Sequence, residues 1–154
     1  MIQERSGKSL LHELEAVGIY VFHGSPVANI KELKVTQPFY SEVGKEKKKH
    51  GQPAVVATPY ADIAIFRALV YLDTTGFGVD GDRLSFEATT KALEFAKDQK
   101  GCVYVLAKEN FLPMEGDVRE MDWRSSSPQH PIRVVEVTLQ DLPKNIRIIE
   151  NRRE

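Results

Sequence analysis

The sequence predicts an α+β fold, a single domain over residues 1–154, and three observations carry that prediction. Short apolar, β-rich runs recur at residues 19–22, 54–57, 102–107 and 132–139. Two other stretches, 9–16 and 59–71, place their apolar residues at helical spacing. Strands dominate both halves of the chain without strict strand-helix alternation, which argues against a parallel β-α-β sheet.

The first helix carries Leu10, Leu11, Leu14 and Val17 on one face, with Ser9 as its expected N-cap and Gly18 as its stop. The first strand, 19–22, is expected to end at His23-Gly24-Ser25-Pro26, a turn-forming group. A short helix or turn is expected at 28–33. Residues 36–52 read as a loop, and the run 45–50 as its solvated, lysine-rich part. After the strand at 54–57, Thr58 and Pro59 are suited to open a helix as N-cap and first helical residue, running to about Tyr71.

Residues 76–81 form a glycine-rich stretch without the Lys-Ser/Thr ending of a phosphate-binding loop. It reads as a loop, and 86–97 as partly helical. A third strand covers 102–107, and 109–115 reads as a loop. A short edge strand is expected at 118–123, then a turn at 125–128. The last strong strand covers 132–139, and a short one follows at 146–149.

A chain of 154 residues with 42% hydrophobic content is long and apolar enough for one core. The net charge of −1 gives no global pull toward nucleic acid or a membrane surface. No apolar run approaches the roughly 20 residues that span a bilayer, and residues 1–18 lack the pattern of a signal peptide. One cysteine, Cys102, cannot pair internally, which suits a reducing compartment. The expectation is a cytoplasmic protein without membrane contact. The four histidines, His12, His23, His50 and His130, lack metal-binding spacing, so no metal is expected.

Three stretches carry a family resemblance in order. They are Tyr20-Val21-Phe22-His23-Gly24-Ser25-Pro26 with Ile30 and Leu33, then residues 54–59 with Ala64, Ile65 and Phe66, then residues 132–137. Together they resemble the ADP-ribosyltransferase fold, in the branch of diphtheria toxin and poly-ADP-ribose polymerase. The resemblance implies split antiparallel or mixed β-sheets with a few flanking helices, and NAD as substrate. It implies that His23 holds a ribose hydroxyl and that the Gly24 backbone grips the nicotinamide carboxamide. A carboxamide needs a donor and an acceptor side by side, and a backbone amide and carbonyl supply both. Glycine lets a ligand approach that backbone closely, and Ser25 is placed to add a hydrogen bond.

The chain departs from the family pattern at two places. The stacking tyrosine of the second strand falls at Val55 or Val56, with Phe66 near the place of a second stacking aromatic. The catalytic glutamate falls at Gln129, His130 or Pro131 when the strand at 132–137 is aligned with the family's acid-bearing strand. Glu136 and Glu120 are the acids expected to stand in for it, stabilising the ribosyl cation, and Asp122 joins Glu120 ahead of Trp123 in a cluster suited to line a pocket. Arg124, with Ser125 and Ser126, is suited to bind a phosphate. The implied activity is transfer of ADP-ribose from NAD to a protein or nucleic-acid acceptor. One alternative is a nucleotide- or protein-binding module on the same fold without turnover. Another is RNA 2′-phosphotransferase-like chemistry, for which Arg67, Arg124 and His130 are the candidate residues and which would join Lys47, Lys48 and Lys49 with Arg67 and Arg124 in one basic cleft.

Overall fold

The computed structural model describes residues 6–37, 39–40, 48–49, 51–70, 75–80, 83–115 and 120–149. In chain order the elements are α1 (Gly7–Val17), β1 (Tyr20–Ser25), β2 (Phe39–Tyr40), β3 (Lys48–Lys49), β4 (Val55–Ala57), α2 (Ala61–Leu69), β5 (Thr75–Asp80), β6 (Arg83–Ala88), α3 (Thr90–Ala96), β7 (Lys100–Ala107), β8 (Leu112–Pro113), β9 (Trp123–Ser125), β10 (Arg133–Thr138) and β11 (Ile146–Ile148). The class is α+β.

Two three-stranded sheets position the site. One has the order β1-β7-β10, the other β4-β9-β8, and both are antiparallel. A single bridge joins them, where Phe22 exchanges backbone hydrogen bonds with Thr58 at 2.7 and 2.9 Å. The strands therefore run β8-β9-β4-β1-β7-β10, with a split between β1 and β4. A third sheet, β5-β6-β11, is mixed, since β11 runs parallel to β6. β2 and β3 pair with each other.

The helix α2 is the centre of the core. Seven of its residues are buried, among them Ile63, Ile65, Phe66 and Leu69, leaving only Asp62 and Arg67 less enclosed. It rests on β1 and β7 at glycine distance. A Cβ built on Gly24 would lie 1.9 Å from the Ala64 carbonyl oxygen, and one on Gly101 would lie 2.6 Å from that of Ala68. Small residues on the helix and glycines on the strands allow this approach.

Several boundaries differ from the sequence expectation. Helix α1 is capped by Ser6, whose side chain accepts from the Ser9 N–H, so Ser9 lies inside the helix. Gly18 ends it at φ 84°. Helix α2 begins two residues later than expected, because Thr58 is committed to the bridge with Phe22 and its hydroxyl accepts from the Tyr60 N–H. The expected end at Tyr71 lies outside the described residues. The stretch at 28–33 forms no helix, and Leu33 bridges to Gln129. The glycine-rich stretch is strand β5, paired throughout with β6, and its expected end at Gly81 lies outside the described residues. Within 86–97 the chain finishes β6 and then forms α3, capped by Thr89. The expected edge strand at 118–123 is replaced by β9, an interior strand between β4 and β8, and 118–119 lie outside the described residues.

Two tertiary caps lock α1 in place. Buried Asp141 accepts from the Lys8 N–H at 3.0 Å and from the Thr138 N–H at 2.9 Å, joining the start of α1 to the end of β10. Glu15 accepts from the Ala61 N–H at 2.6 Å and so caps α2 from outside, in place of a side-chain cap from Tyr60. Glu15→Ala is expected to lower stability by about 1 kcal/mol, the usual effect of losing an N-cap. Urea unfolding checks this, and an unchanged midpoint would show that water replaces the carboxylate without loss. No helix among the described residues is long and apolar enough to cross a membrane.

Candidate functional site

His23-Gly24-Ser25 belongs to β1 and is not a turn. Its pairing with β7 continues through Gly24 opposite Val103 and Ser25 opposite Cys102. The turn follows, with the Ser25 hydroxyl accepting from the Val27 N–H at 3.1 Å. The buried Tyr104 hydroxyl holds the next segment, donating to the Val27 carbonyl at 2.5 Å and accepting from the Ile30 N–H at 3.2 Å.

The split opens at His23. Continuing the antiparallel ladder from the Phe22–Thr58 pair, the next hydrogen-bonded pair would be Gly24 with Val56. That pair does not form. The Val56 carbonyl is bound instead by His23 Nδ1 at 2.8 Å. One position further along β4, the ladder closes again on another segment, where Ala54 and Thr36 exchange hydrogen bonds at 2.8 and 3.1 Å. The imidazole thus acts as a wedge that takes the acceptor due to Gly24. Alternation directs the Gly24 N–H and C=O away from β7 and into this gap. No hydrogen bond among the described residues joins them. Gly24 and Val56 are both half-buried.

Burial lowers the pKa of His23, the Val56 carbonyl opposes that shift, and the positive charge of Arg67 adds to it. The ring is therefore held neutral. Since a carbonyl only accepts, the proton sits on Nδ1, and Nε2 presents a lone pair. The arrangement suits a hydroxyl donor.

Charged side chains gather on the α2 side of the split. Arg124, opposite Val56 on β9, makes a bidentate pair with Asp122 through Nε and Nη2, both at 2.9 Å. Arg67, in the last turn of α2, places its guanidinium carbon 5.6 Å from the centroid of the Phe77 ring. Its side chain is exposed by area. Its guanidinium is nonetheless crowded enough for desolvation to lower its pKa, with the Asp122 carboxylate acting in the opposite sense.

The structure brings His23, Gly24 and Ser25 together and leaves other expected site residues elsewhere. Phe66 is 1% exposed and its ring packs 5.0 Å from that of Phe86, so it is a core residue and offers no face to a ligand. Glu136 lies on β10, opposite Cys102, separated from β1 by the whole of β7. Glu120 is exposed, at φ 52°, and its carbonyl accepts from the Trp123 indole N–H at 2.9 Å. Gln129 bonds to Ser125 and bridges Leu33, and His130 contacts the Lys31 carbonyl and Glu32 rather than either arginine. Arg124 reaches the site, but its guanidinium is engaged by Asp122, and Ser125 is used by its own turn. Lys47 and His50 lie outside the described residues.

Asp122, which the sequence groups with Glu120 ahead of Trp123 as a candidate pocket lining, is the acid that Arg124 holds. Topology places β9 one strand from the split, beyond β4, and β10 two strands from it, beyond β1 and β7. Among the described residues no group of three or more metal-capable side chains forms. Compared with protein-family models, curated proteins and solved structures, the chain matches none.

Proposed function

We propose that this chain is an ADP-ribosyltransferase-like domain that takes the nicotinamide end of NAD at the split between β1 and β4. One observation carries the reading: the Gly24 N–H and C=O point into the split between β1 and β4 without a partner among the described residues, where His23 takes the Val56 carbonyl that would have paired with Gly24. A planar carboxamide fits such a donor-acceptor edge, its oxygen accepting from the N–H and its amide donating to the C=O. His23 Nε2 is suited to accept from a ribose hydroxyl. The parting of the strands into two sheets supports the same reading, since the resemblance implies split sheets.

Transfer of ADP-ribose breaks the bond between the ribose anomeric carbon and the nicotinamide nitrogen. Nicotinamide leaves with the bonding pair, and an acceptor nucleophile forms the new bond at that carbon, releasing its proton. A carboxylate stabilises the cationic ribosyl centre in between. Asp122 is better placed for this than Glu136 or Glu120, because it is held by Arg124, which lies opposite Val56, the residue whose carbonyl His23 binds. The bidentate grip of Arg124 on that same carboxylate favours a second reading, a nucleotide-binding module without turnover.

Titration of the protein with nicotinamide and with NAD, followed by amide NMR, tests the site. The expected result is millimolar or tighter binding of both, with the Gly24 amide among the shifted signals. Absence of binding by either ligand overturns the proposal. A nicotinamide-release assay then separates transferase from binding module. In a transferase, Asp122→Asn is expected to reduce release by about a hundredfold or more while NAD still binds.

A further inference from the structure

We propose that Arg67 is the specificity residue of this site, selecting a phosphate-bearing nucleotide over a free amide ring. The inference rests on the placement of the amide ring at Gly24 and goes beyond it by assigning the anion-reading group. Arg67 is one of only two α2 residues left out of the core, and the other, Asp62, is answered by His12 at 2.7 Å. Arg67 has no such answer: among the described residues no hydrogen bond or ion pair holds its guanidinium.

Its position is fixed from below. Ala64 and Ala68 straddle the Gly24 α-carbon, which places residue 67 on the flank of the same helical turn. Arg67 is peptide-bonded to the Ala68 nitrogen, which would lie 3.0 Å from a Cβ on Gly24, so its backbone lies against the strand that borders the split, and its charge acts on both His23 and Asp122. Phe77 holds the guanidinium through its face at 5.6 Å, leaving the N–H edges available.

Among the described residues no carboxylate pairs with Arg67, so its guanidinium is a cation beside an edge suited to a neutral ring. A ligand that carries its amide on a phosphorylated sugar satisfies both, and the fork of Arg67 matches phosphate oxygens. Arg124, the expected phosphate ligand, is already committed to Asp122.

The test compares nicotinamide, NAD and ADP-ribose in calorimetric titrations of wild type, Arg67→Ala and Arg67→Lys. Arg67→Ala is expected to weaken NAD and ADP-ribose at least about tenfold, as loss of charge-assisted hydrogen bonds requires, and to leave nicotinamide unchanged. Arg67→Lys, which keeps the charge and loses the fork, is expected to fall between the two. The salt dependence of NAD binding is expected to shrink in Arg67→Ala. Equal NAD affinity in wild type and Arg67→Ala overturns the assignment, and so does an equal loss for nicotinamide, which would mark a structural role. If wild type binds ADP-ribose but not nicotinamide, the Gly24 reading fails while Arg67 is judged on ADP-ribose alone. Arg67→Lys keeps the comparison decisive if the alanine variant does not fold.

Discussion

Gly24→Ala is expected to abolish the native fold, giving no cooperative thermal transition where the wild type gives one. The added methyl would meet the Ala64 carbonyl oxygen at 1.9 Å, its carbon at 2.8 Å and the Ala68 nitrogen at 3.0 Å. All three are backbone atoms of α2, so no side chain can swing aside. The helix cannot retreat either, because Ile63, Ile65, Phe66 and Leu69 lock it into the core. Overpacking with flexible neighbours costs about 1–3 kcal/mol, and a clash with fixed backbone exceeds that range. A domain of this size has roughly 5–15 kcal/mol in total. Gly18→Ala is the control. Gly18 has φ 84° with nothing within 4 Å of a built Cβ, so it pays only for left-handed backbone, about 1–2 kcal/mol. Circular dichroism melts of the two variants decide the matter. A Gly24→Ala protein that melts within a few degrees of wild type would show that α2 is not seated as described. The glycine at the heart of the candidate site is thus required first by packing. The amide and carbonyl it exposes must be examined with ligands rather than by replacing it.

The parts of this fold that were legible in the sequence are those set by local pattern. The four main apolar runs all contain strand, and both expected helices form. What was not legible depends on pairing between distant residues. His23-Gly24-Ser25 looks like a turn in isolation, yet it is held extended by Val103 and Cys102, nearly eighty positions away. Gly76 and Gly78 suggested a loop, and their strand exists because residues 83–88 pair with it. The placement of the candidate acids depends on pairing in the same way. Four strands follow β7, and their order in the sheets, not their composition, puts β9 one strand from the split and β10 two strands from it. Phe66 was drawn toward the site by its position along the sequence. The helix period turns it away from Gly24 and into Phe86. The wedge formed by His23 had no local signal at all, because its partner is the carbonyl of Val56.

His23→Ala is expected to cost about 1–3 kcal/mol and to weaken NAD binding, because the Val56 carbonyl loses its donor in a half-buried setting. With the wedge gone, Val56 and Gly24 are free to complete the ladder, and the amide-binding edge closes on the protein itself. His23→Asn separates these effects from titration, since its amide can donate to the same carbonyl and carries no proton equilibrium in this range. The folded pKa of His23 lies below the ordinary value of 6.5, through burial first, against the opposing Val56 bond, with Arg67 adding to the depression. The unfolded chain therefore binds the proton more readily. The contribution of neutral His23 is fully present above about pH 6.5 and is lost as pH falls from there toward the lower folded value. Wild type is thus expected to lose melting temperature between about pH 7 and pH 5 more steeply than His23→Asn. NAD affinity is expected to fall across the same interval, because a protonated imidazole presents a donor where the ribose hydroxyl needs an acceptor. Parallel melting curves for wild type and His23→Asn would mean that another group controls the acid response and that His23 is not held neutral by the fold.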